Sequence, residues 1–243
     1  MAFCCLCERT VDAWLPHPAR AQRSPFMALM GTVGSDLSVY ACPHCGCNDR
    51  DRHLWMYMAA AGLPEQLRGA RILHLAPEAS LEAHLQACAP AEYVRGDLFP
   101  ARAGIRRVDA QDMDFEDGRF DLIIANHLLE HVDDPARVVA EFARCLAPGG
   151  MLIAQTPYAP ALKHTFELDR APTEDFARVY YGQVDHVRLF GGDIGALFNA
   201  AGLTGALLPH AQLLPGFDAQ EFGCNRDEPF FAFSKAALEL ENA

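Results

Sequence analysis

Two cysteine pairs carry the most evident chemistry in the chain, Cys4-x-x-Cys7 and Cys42-x-x-Cys45. Each is a knuckle that turns two thiolates and the amides of a tight turn towards one point, and two knuckles fill the four positions of a tetrahedral Zn²⁺. Four sulfur ligands leave no position for water, so the expected role is structural: the ion replaces a side-chain core in a segment of about 45 residues. The competing reading is a set of free or redox-active thiols. Membership of the ligand set is open, because Cys5 and Cys47 lie beside the knuckles and either could take a ligand's place. His44, inside the second knuckle, reads as a turn residue.

A second group lies far along the chain, where Glu174, Asp185, His186 and Arg188 are interspersed with Phe176, Tyr180, Tyr181 and Phe190. Polar groups among aromatic rings are what a substrate pocket needs. His186 paired with Asp185 or Glu174 would be a base whose tautomer a carboxylate fixes, and Arg188 would bind an anionic group of the substrate. The same residues also describe a solvated loop with ordinary salt bridges.

The elements that must position these groups follow from periodicity. Residues 1–50 show no sustained helical or strand period, as expected of a metal-centred module. Leu54, Trp55, Met58 and Ala61 recur at helical spacing before Gly62 and Pro64, which makes 51–64 a connector. From 65 to 243 strand and helix patterns alternate: strands at 71–76, 93–96, 106–108, 120–125, 151–155, 203–208 and 229–234, with helices at 80–87 and 193–201. A further helix follows the Asp134-Pro135 cap along the stripe Val138, Val139, Phe142, Cys145 and Leu146. Alternation of that kind predicts a mostly parallel sheet, with the apolar run 120–125 at its centre and residues 157–192 as an insertion over the strand ends.

Bulk properties restrict the function classes. The 20 Lys and Arg against 32 Asp and Glu give a net charge of −12, which opposes a phosphate backbone and argues against nucleic acid as a partner. Nine cysteines, six of them between positions 4 and 47, fit metal binding better than disulfides. No apolar run is long enough to span a membrane, and the N-terminus lacks the charge and hydropathy pattern of a signal peptide, so the cytoplasm is the expected compartment.

The run Phe120-Asp121-Leu122-Ile123-Ile124-Ala125-Asn126-His127-Leu128-Leu129-Glu130-His131-Val132, followed by Arg144-Cys145-Leu146-Ala147-Pro148-Gly149-Gly150, resembles the class I S-adenosylmethionine (SAM) dependent methyltransferases. The resemblance covers about 165 residues and implies an α/β, Rossmann-like, doubly wound sheet of seven strands with helices on both faces, to which the zinc module is appended. It places a helix after the fourth strand, so that His131 lies one turn beyond His127. It also implies SAM as cofactor. Asp109 with Ala110 and Gln111 would hold the adenine, and Asp97, at the end of the second strand, the ribose hydroxyls. Asn126 and His127 would lie beside the transferable methyl, with His127 as general base. The departure is the first loop, Leu73-His74-Leu75-Ala76-Pro77-Glu78-Ala79-Ser80, where Ala76, Glu78 and Ser80 stand in the family's glycine places. A carboxylate at Glu78 could pair there with the amino group of SAM, with His74 and Ala76 completing the loop.

The expected activity is methylation of O, N or S of a small-molecule acceptor, as in bacterial secondary metabolism, by a chain that homodimerises by default. Two alternatives stand beside it. One is a zinc-ribbon RNA methyltransferase, which would use the patch Arg50, Arg52 and His53; the other is a non-catalytic SAM-fold interaction protein.

Overall fold

The computed structural model describes residues 1–237. It opens with two short antiparallel strands, β1 (Ala2–Cys4) and β2 (Arg9–Val11), so that the first knuckle forms the loop between them. Helix α1 (Pro25–Leu29) starts on Pro25, and its cap is the Ser24 hydroxyl, which accepts from the Phe26 amide. Single bridges from Leu15 to Ala41 and from Ala41 to Asn48 then bring the second knuckle back beside the first.

Helix α2 (Asp49–Ala60) begins where composition suggested a break. Asn48 accepts from the Asp51 amide while the Asp51 carboxylate accepts from the Asn48 amide, a reciprocal cap that satisfies two helix-end donors. Gly62, at φ +66°, ends this helix and leads into α3 (Leu63–Gln66).

The main sheet is built from β3 (Arg71–Leu75), β4 (Glu92–Asp97), β5 (Arg106–Arg107), β6 (Phe120–Ile124) and β7 (Leu146–Ile153), with α4 (Ala79–Ala87) and α5 (Pro135–Cys145) as crossovers. An insertion follows, β8 (Tyr158–Ala159), β9 (Phe166–Glu167), α6 (Glu174–Tyr180) and β10 (Arg188–Gly191), whose three strands make a small sheet of their own. The chain closes with α7 (Ile194–Ala200), β11 (Leu203–Leu208), the short helices α8 (His210–Leu213) and α9 (Ala219–Phe222), and β12 (Phe230–Lys235). The seven strands run in the order β11-β12-β7-β6-β3-β4-β5, with β12 antiparallel to both its neighbours and β7 to β5 parallel. This is the doubly wound sheet that the sequence predicts.

Successive residues of β6 point to opposite faces, and both faces are covered. Ile123 packs with Leu73, Val138, Phe142 and Phe198, beneath α5 and α7. Leu122 and Ile124 pack with Ile72 and with Leu54 and Met58 of α2, in a cluster that continues into Cys4, Cys42 and Cys47. The N-terminal module is therefore fused to one face of the sheet through a common core.

One predicted helix is missing. Residues 126–132 form turns rather than a helix, because His127 takes a left-handed φ of +50°, and helix begins only at Pro135, capped by Asp134. No helix among the described residues is long and apolar enough to cross a membrane.

The chain runs from β3 outward to β4 and β5, then returns to place β6 on the other side of β3. A reversal of strand order leaves a crevice beyond the carboxyl ends of the strands, where open α/β sheets bind ligands.

Candidate active site

At that crevice β3 gives way to Ala76, whose φ is +46° and whose amide donates to the Gly96 carbonyl at 2.8 Å. A left-handed alanine costs about 1–2 kcal/mol, and alanine's single methyl is the smallest side chain that could be placed there after glycine. Gly96 lets the ends of β3 and β4 approach: a Cβ at this position would lie 2.8 Å from Leu75 Cδ2 and 2.9 Å from Val108 Cγ2.

A cavity of about 600 Å³ opens over these strand ends. Ala76, Asp97, Asp109, Ala110 and Gln111 line it, as the family resemblance implies, together with His127 and Asp185. Asp97 Oδ1 accepts from the Phe99 amide at 2.8 Å and Asp109 Oδ1 from the Gln111 amide at 2.9 Å. One oxygen of each carboxylate is thus fixed in a turn and the other is left without a hydrogen bond among the described residues. Phe99, 79% exposed, lies at the cavity wall and offers an uncovered aromatic face.

Three residues expected at the cofactor do not line this cavity. His74 is wholly buried, with Nδ1 2.9 Å from the Tyr93 hydroxyl and Nε2 2.5 Å from Glu78 Oε2. The Asn126 amide donates to Glu78 Oε1 at 3.0 Å, and Asn126 Oδ1 accepts from the Gln155 amide. Both oxygens of Glu78 are therefore engaged by protein. Burial opposes its charge, but the charge of His74 and the hydrogen bonds from His74 and Asn126 prevail and hold its carboxyl below the usual value. His74, Glu78 and Asn126 form a brace that ties the first loop to β6 and β7, in place of a glycine turn.

His127 lies at the junction of two cavities. Neither of its ring nitrogens has a hydrogen-bond partner, and Nδ1 stands 3.4 Å from Glu130 Oε1. The second cavity, about 440 Å³, has walls from residues 17–50 and from the insertion, including Arg23, Arg50, Arg178, His17 and His186. No carboxylate lines it, although the chain carries a net charge of −12.

The expected pairing of His186 with an acidic partner is redrawn. Asp185 turns to the first cavity, where its carbonyl accepts from His131 Nδ1 at 3.2 Å and its Oδ2 lies 3.3 Å from the same nitrogen. His186 Nδ1 donates instead to the Tyr181 carbonyl at 2.8 Å. Burial pushes the His186 pKa down, against the attraction of Glu130, so the ring is neutral at pH 7. Glu174 is exposed at the start of α6.

Arg188 is 1% exposed and binds no substrate. It forms a two-pronged pair with Glu167 at 2.8 and 2.9 Å and donates to the carbonyls of Leu129, Val132 and Asp133, clamping the turn that carries His127 and Glu130. Arg23, Arg178 and Glu130 line or adjoin the cavities without having been singled out in the sequence, and Arg50 was expected in an RNA-facing patch instead. For Glu130 a signal was present, an acid three residues after His127; the three arginines stand alone among unpatterned residues.

At the N-terminus the sulfurs of Cys4, Cys42, Cys45 and Cys47 all lie within 4.8 Å of one another. Cys7 lies beside them, 3.8 Å from Cys42, and Cys5 turns away to the Arg52 carbonyl at 3.6 Å. The Cys4–Cys45 and Cys7–Cys42 separations, both 3.8 Å, match the tetrahedron edge of about 3.8 Å that Zn–S bonds of about 2.3 Å imply, whereas Cys47 stands closer, 3.5 Å from Cys4 and 3.3 Å from Cys45. Within the cluster the Cys47 thiol lowers the Cys4 pKa, while burial raises those of Cys42 and Cys7. Five thiols thus converge, the expected Cys4, Cys7, Cys42 and Cys45 together with Cys47, and a set of four drawn from them fits Zn²⁺.

The patch that would have met RNA is not on the surface. Arg52 is wholly buried, stacked 4.0 Å from the Trp14 ring and donating to the carbonyls of Val39, Cys47, Phe222 and Gly223. His53 lies 2.8 Å from His210 in the interior, and Arg50 faces the second cavity.

A family model described as a methyltransferase domain matches residues 64–207. Among curated proteins, the chloroplastic tocopherol O-methyltransferase of Arabidopsis thaliana is 44% identical over 55 residues, 23% of this chain and 16% of that protein. The phosphatidylethanolamine N-methyltransferase of Cereibacter sphaeroides is 38% identical over 55 residues, 23% of this chain and 27% of that protein. The chain thus spans well under half the length of either relative. Among solved structures, an S-adenosylmethionine dependent methyltransferase from Mesorhizobium loti superposes with a TM-score of 0.45 at 19% identity, over 72% of this chain and 94% of that one.

Proposed function

Because the chain belongs to the methyltransferase-domain family, we propose that it transfers a methyl group from SAM to O, N or S of a small acceptor bearing an anionic group. The observation that carries this reading is the meeting of two cavities at His127: one lined by Asp97 and Asp109, the other by three arginines and no carboxylate. In this assignment Asp97 holds the ribose hydroxyls, and Asp109 with the Ala110 and Gln111 backbone holds the adenine, over which Phe99 can stack. SAM, when bound, supplies a methyl group on an already activated sulfonium leaving group.

The protein's own contribution is alignment and proton removal. Arg23 and Arg50, with Arg178 contributing beside its pairing to Asp175 at 2.8 Å, would hold the acceptor's anionic group and leave its nucleophilic atom directed towards His127. Both His127 nitrogens are buried and free of protein hydrogen bonds, so a rotation of the ring towards the cavity would let it accept the nucleophile's proton, and the ionised Glu130 at 3.4 Å would stabilise the resulting imidazolium. Four of the thiols of Cys4, Cys7, Cys42, Cys45 and Cys47 would hold a structural Zn²⁺ and so fix the N-terminal segment that forms one wall of the second cavity.

The test is calorimetry with SAM on zinc-loaded protein. Micromolar binding that falls at least tenfold in Asp97→Ala supports a working cofactor site and leads to a screen of carboxylate- and phosphate-bearing acceptors. Failure of the folded, zinc-loaded wild type to bind SAM would overturn the enzyme reading and favour a non-catalytic platform.

A further inference from the structure

Behind His127 three more groups converge: the Glu130 carboxylate and the rings of His131 and His186, with one ligand atom of each within 4.8 Å of the others. Glu130 is 1% and His186 3% exposed, yet Glu130 Oε2 and His186 Nε2 have no hydrogen-bond partner. A buried polar atom left unpaired costs about 1–3 kcal/mol, and more when it is charged. Native proteins rarely leave two such atoms side by side unless something else satisfies them.

The outer bonds of both rings point to what that is. A carbonyl oxygen can only accept, so the bonds to the Tyr181 and Asp185 carbonyls require that His186 and His131 each carry their proton on Nδ1. That leaves both Nε2 lone pairs bare. Histidines that bind metals are held this way, one nitrogen donating to an oxygen and the other free for the ion. His131 Nε2 is 4.0 Å from Glu130 Oε1, and ligands about 2.0–2.2 Å from an ion lie roughly 3–3.5 Å apart. With all three ligand atoms within 4.8 Å of one another, side-chain shifts of no more than about 1–2 Å close the set on a cation.

We propose that Glu130, His131 and His186 form a divalent-cation site, separate from the cysteine cluster and placed where the two cavities meet. Two imidazoles and a carboxylate suit Mn²⁺, Fe²⁺, Co²⁺ or Zn²⁺, and three protein ligands leave coordination positions open. The cation satisfies the orphaned atoms and offsets the buried charge of Glu130. A cation here would also grip an acceptor oxygen beside His127; that consequence rests on the methyl-transfer reading, whereas the site itself does not.

The experiment is titration of the zinc-loaded full-length chain with Mn²⁺, followed by calorimetry and by loss of the free Mn²⁺ resonance in electron paramagnetic spectra. One equivalent bound per chain, weakened at least tenfold in Glu130→Gln and in His131→Ala, is expected. His131 is one-third exposed, so its variant should fold even where changes at the buried Glu130 or His186 do not; circular dichroism checks this. Co²⁺ at the same site should show visible d–d bands without the intense near-ultraviolet thiolate band of the cysteine cluster. No binding of Mn²⁺, Co²⁺ or Zn²⁺ beyond the cysteine equivalent, or binding unchanged in a folded His131→Ala, overturns the site. Since SAM titration of the same samples is read separately, failure here is distinct from failure of the methyl-transfer reading.

Discussion

The two cavities that meet at His127 are made in opposite ways. The first is bounded by the ends of neighbouring strands, Ala76 after β3, Asp97 at the end of β4 and Asp109 after β5, so the sheet itself sets the spacing of its polar groups. The second is assembled from segments far apart in sequence, an N-terminal stretch held near a cysteine cluster and an insertion that follows β7. One is a property of the fold and the other an addition to it. On the proposed reading the difference locates specificity: cofactor chemistry would belong to the sheet, and the choice of acceptor to the attached pieces.

The sharpest challenge to that division is at the residue both cavities share. His127→Ala is expected to lower kcat by about 10²–10⁴-fold, the usual range for a general base, while SAM affinity changes little; single-turnover assays alongside SAM calorimetry separate the two. Arg52→Ala attacks only the attached side. It removes charged donors from several buried carbonyls, at about 1.5–3 kcal/mol each, so a loss of at least about 3 kcal/mol in urea unfolding is expected. If stability is unchanged, the N-terminal module is not held as described.

Asp97→Ala attacks only the sheet side, with SAM affinity falling ten- to a hundredfold and zinc content unchanged. Arg50→Gln is the mirror experiment: KM for an anionic acceptor should rise about tenfold and SAM affinity stay constant, and equal effects on both ligands would break the comparison. The smallest effect is at Glu78. Its carboxyl pKa is lowered in the fold, so its stabilising contribution is complete above pH 4.5 and disappears as pH falls through the lower folded value. The stability gap between wild type and Glu78→Gln should be full at pH 7 and close below about pH 4.5, while SAM affinity is less affected than in Asp97→Ala.

The sheet was legible because its signals are local and repeated. The apolar run of β6, the Asp134-Pro135 cap and the carboxylates of Asp97 and Asp109 all stand where strand and helix periods place them. The second cavity has no period. Arg50 and Arg188 are the same residue type in equally unremarkable contexts, yet one faces a cavity and the other is buried among the carbonyls of 129–133, a fate decided only when the insertion packs back on the turn. The left-handed backbone at His127 was likewise hidden, since the run 126–132 is composed of residues that also suit a helix. The cysteine knuckles were plain from spacing, which left Cys5 and Cys47 equally open as added ligands; the structure separates them, since Cys5 turns to the Arg52 carbonyl while the Arg52 guanidinium donates to both the carbonyl and the sulfur of Cys47.

The bonds of Arg52 also impose an order in time. Its partners Phe222 and Gly223 lie 170 and 171 residues further along the chain, and the Tyr57 hydroxyl likewise waits for the Glu228 carbonyl. On a ribosome the cysteine segment is made first, but the contacts that seat it come with almost the last residues of the chain described here. A truncated or stalled product would carry a charged, unpartnered guanidinium beside a half-built wall. The wall that residues 17–50 give to the second cavity is thus seated only once residues 222–228 are in place.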